Sequence, residues 1–314
     1  MRLSRNYRNV LSKFDIWDQK DHSESWILFP ENMGENICID ETFLTDGELY
    51  TIVTNADAKT QKGALIAMIK GTKSKDVEKI LNKIPIEIRL KVKTVTKDFA
   101  KYIEKIARNC FSNIELIIDR FHVVQLINDV VQQKRIEHRW TAVKEENKAI
   151  KKNKKANERR KKKKKHDPET CDNGDTIIQL LARSRYLLFK SKSKWTKSQK
   201  ERAKILFEKF PDLESLYNLT MMFRNIYEKS ITKKEAKAEY LKWYKKVEEK
   251  GFEVFNTAMN SIKNNEEEIL NFFNERRTNC LAETFNSKIK AFRSAFRGVK
   301  DLSFFLYRVS LIFA

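Results

Sequence analysis

The apolar positions of this chain change period once. Over the first 120 residues they alternate in short runs, and beyond that they recur at helical spacing. In 36–43, Ile37 and Ile39 alternate with Cys38 and Asp40, a period of two that predicts a half-buried strand and turns Asp40 away from Ile39. Thr45-Asp46-Gly47 is a turn signal, and the β-branched and aromatic run from Leu49 to Thr54 predicts the second arm of a hairpin. A third strand is expected over 63–69. Val77, Ile80, Leu81 and Ile84 then recur at i, i+3, i+4 and i+7, predicting an amphipathic helix that Ser74 caps and Pro85 ends. A fourth strand over 92–96 stops just before Asp98, and Phe99, Tyr102, Ile103 and Ile106 supply the stripe of a second helix. A fifth strand over 114–118 runs into Asp119-Arg120-Phe121-His122. The predicted order is β-β-β-α-β-α-β.

After about residue 124 strand signals give way to long helical patterns, with breaks near 194–195, 211–212 and 250–251. Between 176 and 273 the aromatic residues Trp195, Phe207, Tyr217, Phe223, Tyr240, Trp243, Tyr244, Phe252 and Phe255 mostly fall at helical spacings, which predicts core packing rather than base stacking. No internal repeat of 20–50 residues is visible. From about residue 278 a last helical pattern puts Leu281, Phe285, Ile289 and Phe292 on one face and Glu283, Asn286, Ser287 and Lys290 on the other. By itself that second face is what any surface helix shows. The pattern divides the chain into 1–35, 36–123, 124–275 and 276–314.

Charge changes the picture. The chain carries 64 Lys+Arg against 43 Asp+Glu, a formal net charge of +21, which favours a polyanionic partner through counterion release. The densest stretch, 151–165, reads either as a solvated, disordered block or as a DNA contact. Cys38, Cys110, Cys171 and Cys280 form no CxxC pair, so neither a zinc ribbon nor a disulfide framework is suggested. There is no apolar signal-peptide core and no apolar run near the roughly 18 residues of a membrane span. The expectation is a soluble, cytoplasmic protein.

Against that basic background three acids stand out. Asp40 sits inside an apolar strand, where an unpaired buried carboxylate is costly. Asp98 follows a strand, a setting equally suited to a helix cap. Glu283 lies on the polar face of the last pattern, where solvation is the ordinary role. Three carboxylates converging from strand ends and a helix can hold two hard divalent cations roughly 3.5–4 Å apart, an arrangement suited to phosphodiester displacement.

Several segments carry a resemblance. They are Trp26-Ile27-Leu28-Phe29-Pro30, Ile39-Asp40-Glu41, Gly47 to Asn55, Lys62-Gly63-Ala64-Leu65, Asp119-Arg120-Phe121-His122-Val123 and Ala282 to Arg293. Together they resemble the bacterial insertion-sequence transposases of the ISL-three type, in the ISAon subgroup. The resemblance implies an α/β, RNase H-like catalytic core with a mixed five-stranded sheet, interrupted by a mostly helical insertion over 124–275 and completed by 276–314. It implies a DDE transposase in which Asp40, Asp98 and Glu283 bind two Mg²⁺ or Mn²⁺ ions, cut transposon ends and join a 3′-hydroxyl to target DNA. Asp119 competes for the second position. Strand counting places it after the fifth strand, where related proteins often carry an Asp-x-x-His or Cys-x-x-His element, so Asp119 and His122 are expected as auxiliary. Lys288, Lys290, Arg293 and Arg297 are candidate phosphate contacts, balanced against ordinary surface charge. The second Asp of the family is usually followed by Met-Ser, whereas Phe99-Ala100 follows Asp98. The chain starts close to the core, so a separate N-terminal DNA-recognition polypeptide is expected, together with a homodimer and a nucleoid-associated location. The rival expectations are a metal-dependent nuclease or resolvase on the same fold and a non-catalytic accessory DNA-binding protein.

Overall fold

Strands pair in the order β1-β4-β3-β2-β5-β6, with β1 Trp26–Leu28, β2 Asn36–Thr45, β3 Glu48–Asn55, β4 Leu65–Lys70, β5 Thr94–Lys97 and β6 Glu115–Ile118. The computed structural model describes residues 7–45, 48–160, 166–275, 280–295 and 301–314. The strands β1, β4, β3 and β2 are antiparallel neighbours, while β2, β5 and β6 run parallel. Parallel neighbours need crossovers. These are supplied by α1 Ser74–Leu81 and α2 Ile86–Arg89 between β4 and β5, and by α3 Lys101–Cys110 between β5 and β6.

The sheet has six strands among the described residues, not the expected five. The additional strand, β1, is three residues long, too short to show a period of two, and it forms because β4 offers it an edge. Ser74 does not cap α1. It is the first helical residue, Lys73 holds the cap position, and no side chain bonds there.

Both faces of the sheet are covered. Ile37, Ile39, Val53 and Val95 pack with Val77, Leu81, Ile103 and Ile106, while Tyr50, Ile52 and Met68 pack with Phe285, Ile289, Phe305 and Leu306. The latter four come from two closing helices at the end of the chain, Cys280–Ala295 and Leu302–Phe313. β2 is therefore central and buried on both sides, Cys38 included, and its alternation of Ile with Cys and Asp separates two cores rather than core from solvent.

The chain divides into two units, one comprising 1–122 with 266–314 and the other 123–265. The 41-residue helix α4, Arg120–Arg160, starts in the first unit and continues through the second. The second unit then has α5 Ile177–Arg183, α6 Lys197–Lys209, α7 Pro211–Lys229, α8 Lys233–Lys250 and α9 Asn256–Asn264. Between 176 and 265 Trp195, Phe207, Tyr217, Phe223, Tyr240, Trp243, Tyr244 and Phe255 are buried, as expected. Trp243 is fully buried against Phe223, with ring centroids 4.8 Å apart, and donates its indole N–H to Leu219 O at 3.0 Å. Capping boxes at Thr176, Thr196 and Thr232 start α5, α6 and α8. The basic stretch is helical as far as Arg160, and 161–165 lie outside the described residues. The first unit closes with α10 Glu266–Leu270, α11 Phe272–Glu275, α12 Cys280–Ala295 and α13 Leu302–Phe313.

Asp175 anchors the second unit. Its buried carboxylate pairs with Arg183 and with Arg202 Nε at 3.1 Å. Burial alone would raise its pKa, but the hydrogen bonds and charges of Arg202 and Arg183 outweigh it and hold the group below the usual range. A depressed carboxylate pKa contributes stability that is complete above the unfolded value, about 3.9, and is lost as pH falls through the folded one. Asp175→Asn should therefore cost roughly 2 kcal/mol at neutral pH. The difference from the unmodified protein should shrink below about pH 4, as read by denaturant titration at several pH values.

Candidate active site

The parallel register of the sheet gathers three acids at one edge. Cys38 is level with Thr96 across β2 and β5, and Lys97 is level with Ile118 across β5 and β6. Two residues beyond the first pair stand Asp40 and Asp98, and one residue beyond the second stand Asp98 and Asp119. Neighbouring strands lie about 4.8 Å apart, so Asp98 is one strand from Asp40 and Asp119 is two.

Asp40 lies on the β2 face covered by α12 and α13, since it pairs with Ile52, a member of that core. Its carboxylate accepts from Glu41 N–H at 2.8 Å and from Asn286 Nδ2 at 2.7 Å. Burial raises the Asp40 pKa and the charge of Asp98 raises it further, while the Glu41 N–H, His122 and Asn286 oppose the shift. Glu41 is likewise raised, first by burial and then by Asp98 and Asp40. Asp98, half-buried just past β5, accepts from Ala100 N–H at 2.7 Å. It thus fixes the turn before α3, although Ala100, not Asp98, is the residue at the cap position.

Asp119 is 2% exposed and accepts from Phe121 N–H at 3.2 Å. Its charge acts on Cys38, whose thiol is pushed up to about 12 by burial first, then by Asp119 and Asp40. His122, in the first turn of α4, sits edge-on to Phe121 with ring centroids 5.5 Å apart, and its field reaches Asp40. Glu283 belongs to α12, one turn before Asn286, and its side chain lies outside the described residues. Among the described residues no three ligating groups form a cluster. Lys288 is exposed, and its Nζ donates to Thr60 O at 3.1 Å and to Thr60 Oγ1 at 2.9 Å. Arg293 stacks over Phe305 at 5.0 Å. Lys290 is exposed, and Arg297 lies outside the described residues.

Two residues of the site were not legible as such. Asn286 reads in sequence as part of a solvated face, yet it is only 8% exposed because α12 lies over β2 and the amide meets Asp40. Its position three residues after Glu283 was the available signal. Lys97 is 1% exposed and forms an ion pair at 2.9 Å with Glu268 of α10. Its Nζ also reaches Asp98 O at 3.3 Å, bracing the turn that carries the carboxylate.

The donor set suits a hard divalent cation. It consists of oxygen ligands; burial first, and their mutual repulsion after it, disfavours ionisation of Asp40 and Glu41, and a divalent ion bound there would relieve that repulsion. Loss of the Asn286 amide should therefore loosen Asp40. Asn286→Ala is expected to lower DNA cleavage by roughly 10–100-fold, and a weaker Mn²⁺-induced rise in melting temperature would show that the ion site itself is affected.

A mixed sheet in which an antiparallel meander continues into parallel strands, with Asp40 inside the central strand β2 and Asp98 and Asp119 just past β5 and β6, defines an RNase H-like α/β protein. The chain belongs to the ISL3-type transposases: the family model, described as a transposase, matches residues 37–309. No curated protein and no solved structure matches it. It is accordingly a transposase acting on DNA, and no helix among the described residues is long and apolar enough to cross a membrane.

Proposed function

We propose that the chain is a DDE transposase that cleaves transposon ends and transfers the freed 3′-hydroxyl to target DNA, with Asp40, Asp98 and Glu283 as ligands for two Mg²⁺ or Mn²⁺ ions. The observation that carries this reading is the placement of Asp40, inside β2 and beneath the helix that contains Glu283, level with Asp98 just past the end of the neighbouring parallel strand β5. Asp98 is favoured over Asp119 because its charge acts directly on Asp40, whereas Asp119 is a strand further away and almost wholly buried. Bound there, such ions supply activation of the attacking hydroxyl and charge neutralisation at the departing oxygen. The chain's own part is to orient. Asn286 and the Glu41 N–H hold both carboxylate oxygens of Asp40, the Ala100 N–H holds one oxygen of Asp98, and Lys97 fixes the carbonyl behind it. Of the candidate phosphate contacts, Lys288 and Lys290 are exposed, Lys288 also bonding Thr60.

The test is a strand-transfer assay with end DNA, Mg²⁺ and any separate terminal-repeat-reading polypeptide. Joined product supports the proposal, whereas cleavage without joining points to a nuclease or resolvase, and binding alone to an accessory protein. Asp98→Asn should abolish both steps, and Asp119→Asn should leave measurable cleavage. The reverse result would transfer the second ligand to Asp119.

A further inference from the structure

The second unit carries a cationic surface that the catalytic reading does not use. Along α4, positions spaced i, i+4, i+8, i+11, i+15 and i+19 hold Trp140, Lys144, Lys148, Lys151, Lys155 and Arg159, a spacing that aligns them on one stripe. All six are exposed. Trp140, 59% exposed, is the one fully exposed tryptophan among the described residues.

An ordinary solvated helix face interleaves acids with lysines at i+4 and forms ion pairs. Of the neighbouring acids, Glu137 pairs with Lys134 and Glu146 with His166, while the exposed Glu145 stands three residues before Lys148. Glu145 and Glu158 are the acids that helical spacing sets beside these cations, two against five. Like charges four residues apart destabilise an isolated helix, and three such pairs occur here: Lys144 with Lys148, Lys151 with Lys155, and Lys155 with Arg159. A polyanion removes that penalty. From Lys144 to Arg159 the helix rises about 22 Å at about 1.5 Å per residue, roughly the axial length of six base pairs at about 3.4 Å each.

We infer that this stripe is a duplex-DNA-binding surface, its cations on successive backbone phosphates and Trp140 at one end of the footprint. The surface is independent of base sequence, because lysines at regular spacing read charge and not base edges. The inference rests on the family's DNA substrate and not on the metal chemistry, so failure of one leaves the other standing.

The experiment measures binding of the full chain to a fluorescein-labelled duplex of arbitrary sequence at several salt concentrations, without divalent metal. Replacing Lys144, Lys148, Lys151 and Lys155 together by Gln should weaken binding at least tenfold and lower the salt slope by about 3. Replacing the same four by Arg should restore both. A control with equal charge loss, Gln at the exposed Lys75, Lys79, Lys91 and Lys105 of the first unit, should change the slope by less than 1. DNA should also shift the tryptophan emission of the unmodified protein, and Trp140→Phe should remove that shift. Equal slopes for the two fourfold Gln variants, or an emission shift that persists in Trp140→Phe, would overturn the assignment.

Discussion

Asp40→Asn is expected to remove DNA cleavage by on the order of 10³-fold or more, about 4 kcal/mol of barrier, while leaving the protein folded. The two effects separate because of how Asp40 is held. Its carboxylate is partly withdrawn from water and faces the charge of Asp98, so the ionised form is disfavoured in the folded state. A carboxylate whose folded pKa is raised costs stability once pH exceeds its unfolded value. An amide of the same shape removes that cost, and the melting temperature at neutral pH should stay level or rise. On the proposed metal-binding reading the variant should also lose the response to Mn²⁺, an ion that would offset the repulsion between the acids. Cleavage assays with parallel melting curves, with and without Mn²⁺, read both consequences. A variant that still cleaves at a tenth of the normal rate would dismiss Asp40 as a ligand, and one that simply unfolds would make its role structural.

The largest effect on stability is expected at Glu268. Lys97 buries its ammonium in the sheet, and Glu268, itself largely shielded, is its partner at 2.9 Å. Glu268 also meets Arg108 at 3.4 Å, but Arg108 is exposed and solvent serves it in the absence of that contact. Glu268→Gln leaves the Lys97 charge buried without its counterion, which should cost about 3–5 kcal/mol and lower the melting temperature by on the order of 10 °C. Replacing both partners, Lys97→Met with Glu268→Leu, should recover most of that loss, because neither desolvated charge then remains. Cleavage should not recover in step with stability, since the double variant lacks the ammonium that braces the Asp98 carbonyl. A double-mutant cycle followed by thermal melting and cleavage measures both. If Glu268→Gln melts within a degree or two of the parent, the pair is not the anchor described here.

Much of the catalytic unit was legible in local pattern. The alternation of Ile37 and Ile39 with Cys38 and Asp40 is a strand, the turn chemistry at 45–47 separates it from the next one, and the stripe of Val77, Ile80 and Leu81 is a helix. These features need only the neighbours of each residue, and the backbone geometry of strands and helices is itself local. β1 escaped because three residues carry no period, and it is ordered by the free edge of β4.

By itself, the sequence determined the change from short strands to long helices, the turning of Asp40 away from the Ile37–Ile39 core, the family, and the basic charge that suits DNA. Only the tertiary structure decided that β2 is buried on both faces, that the Asn286 amide meets Asp40, that Lys97 pairs with Glu268, and that Lys288 bonds Thr60. Each of these joins residues far apart in the chain, and no periodicity records which distant group will arrive at 2.7–3.1 Å. Exposure follows the same rule. Asn286 reads as a position on a solvated helix face, and what packs over it made it a buried donor to a carboxylate.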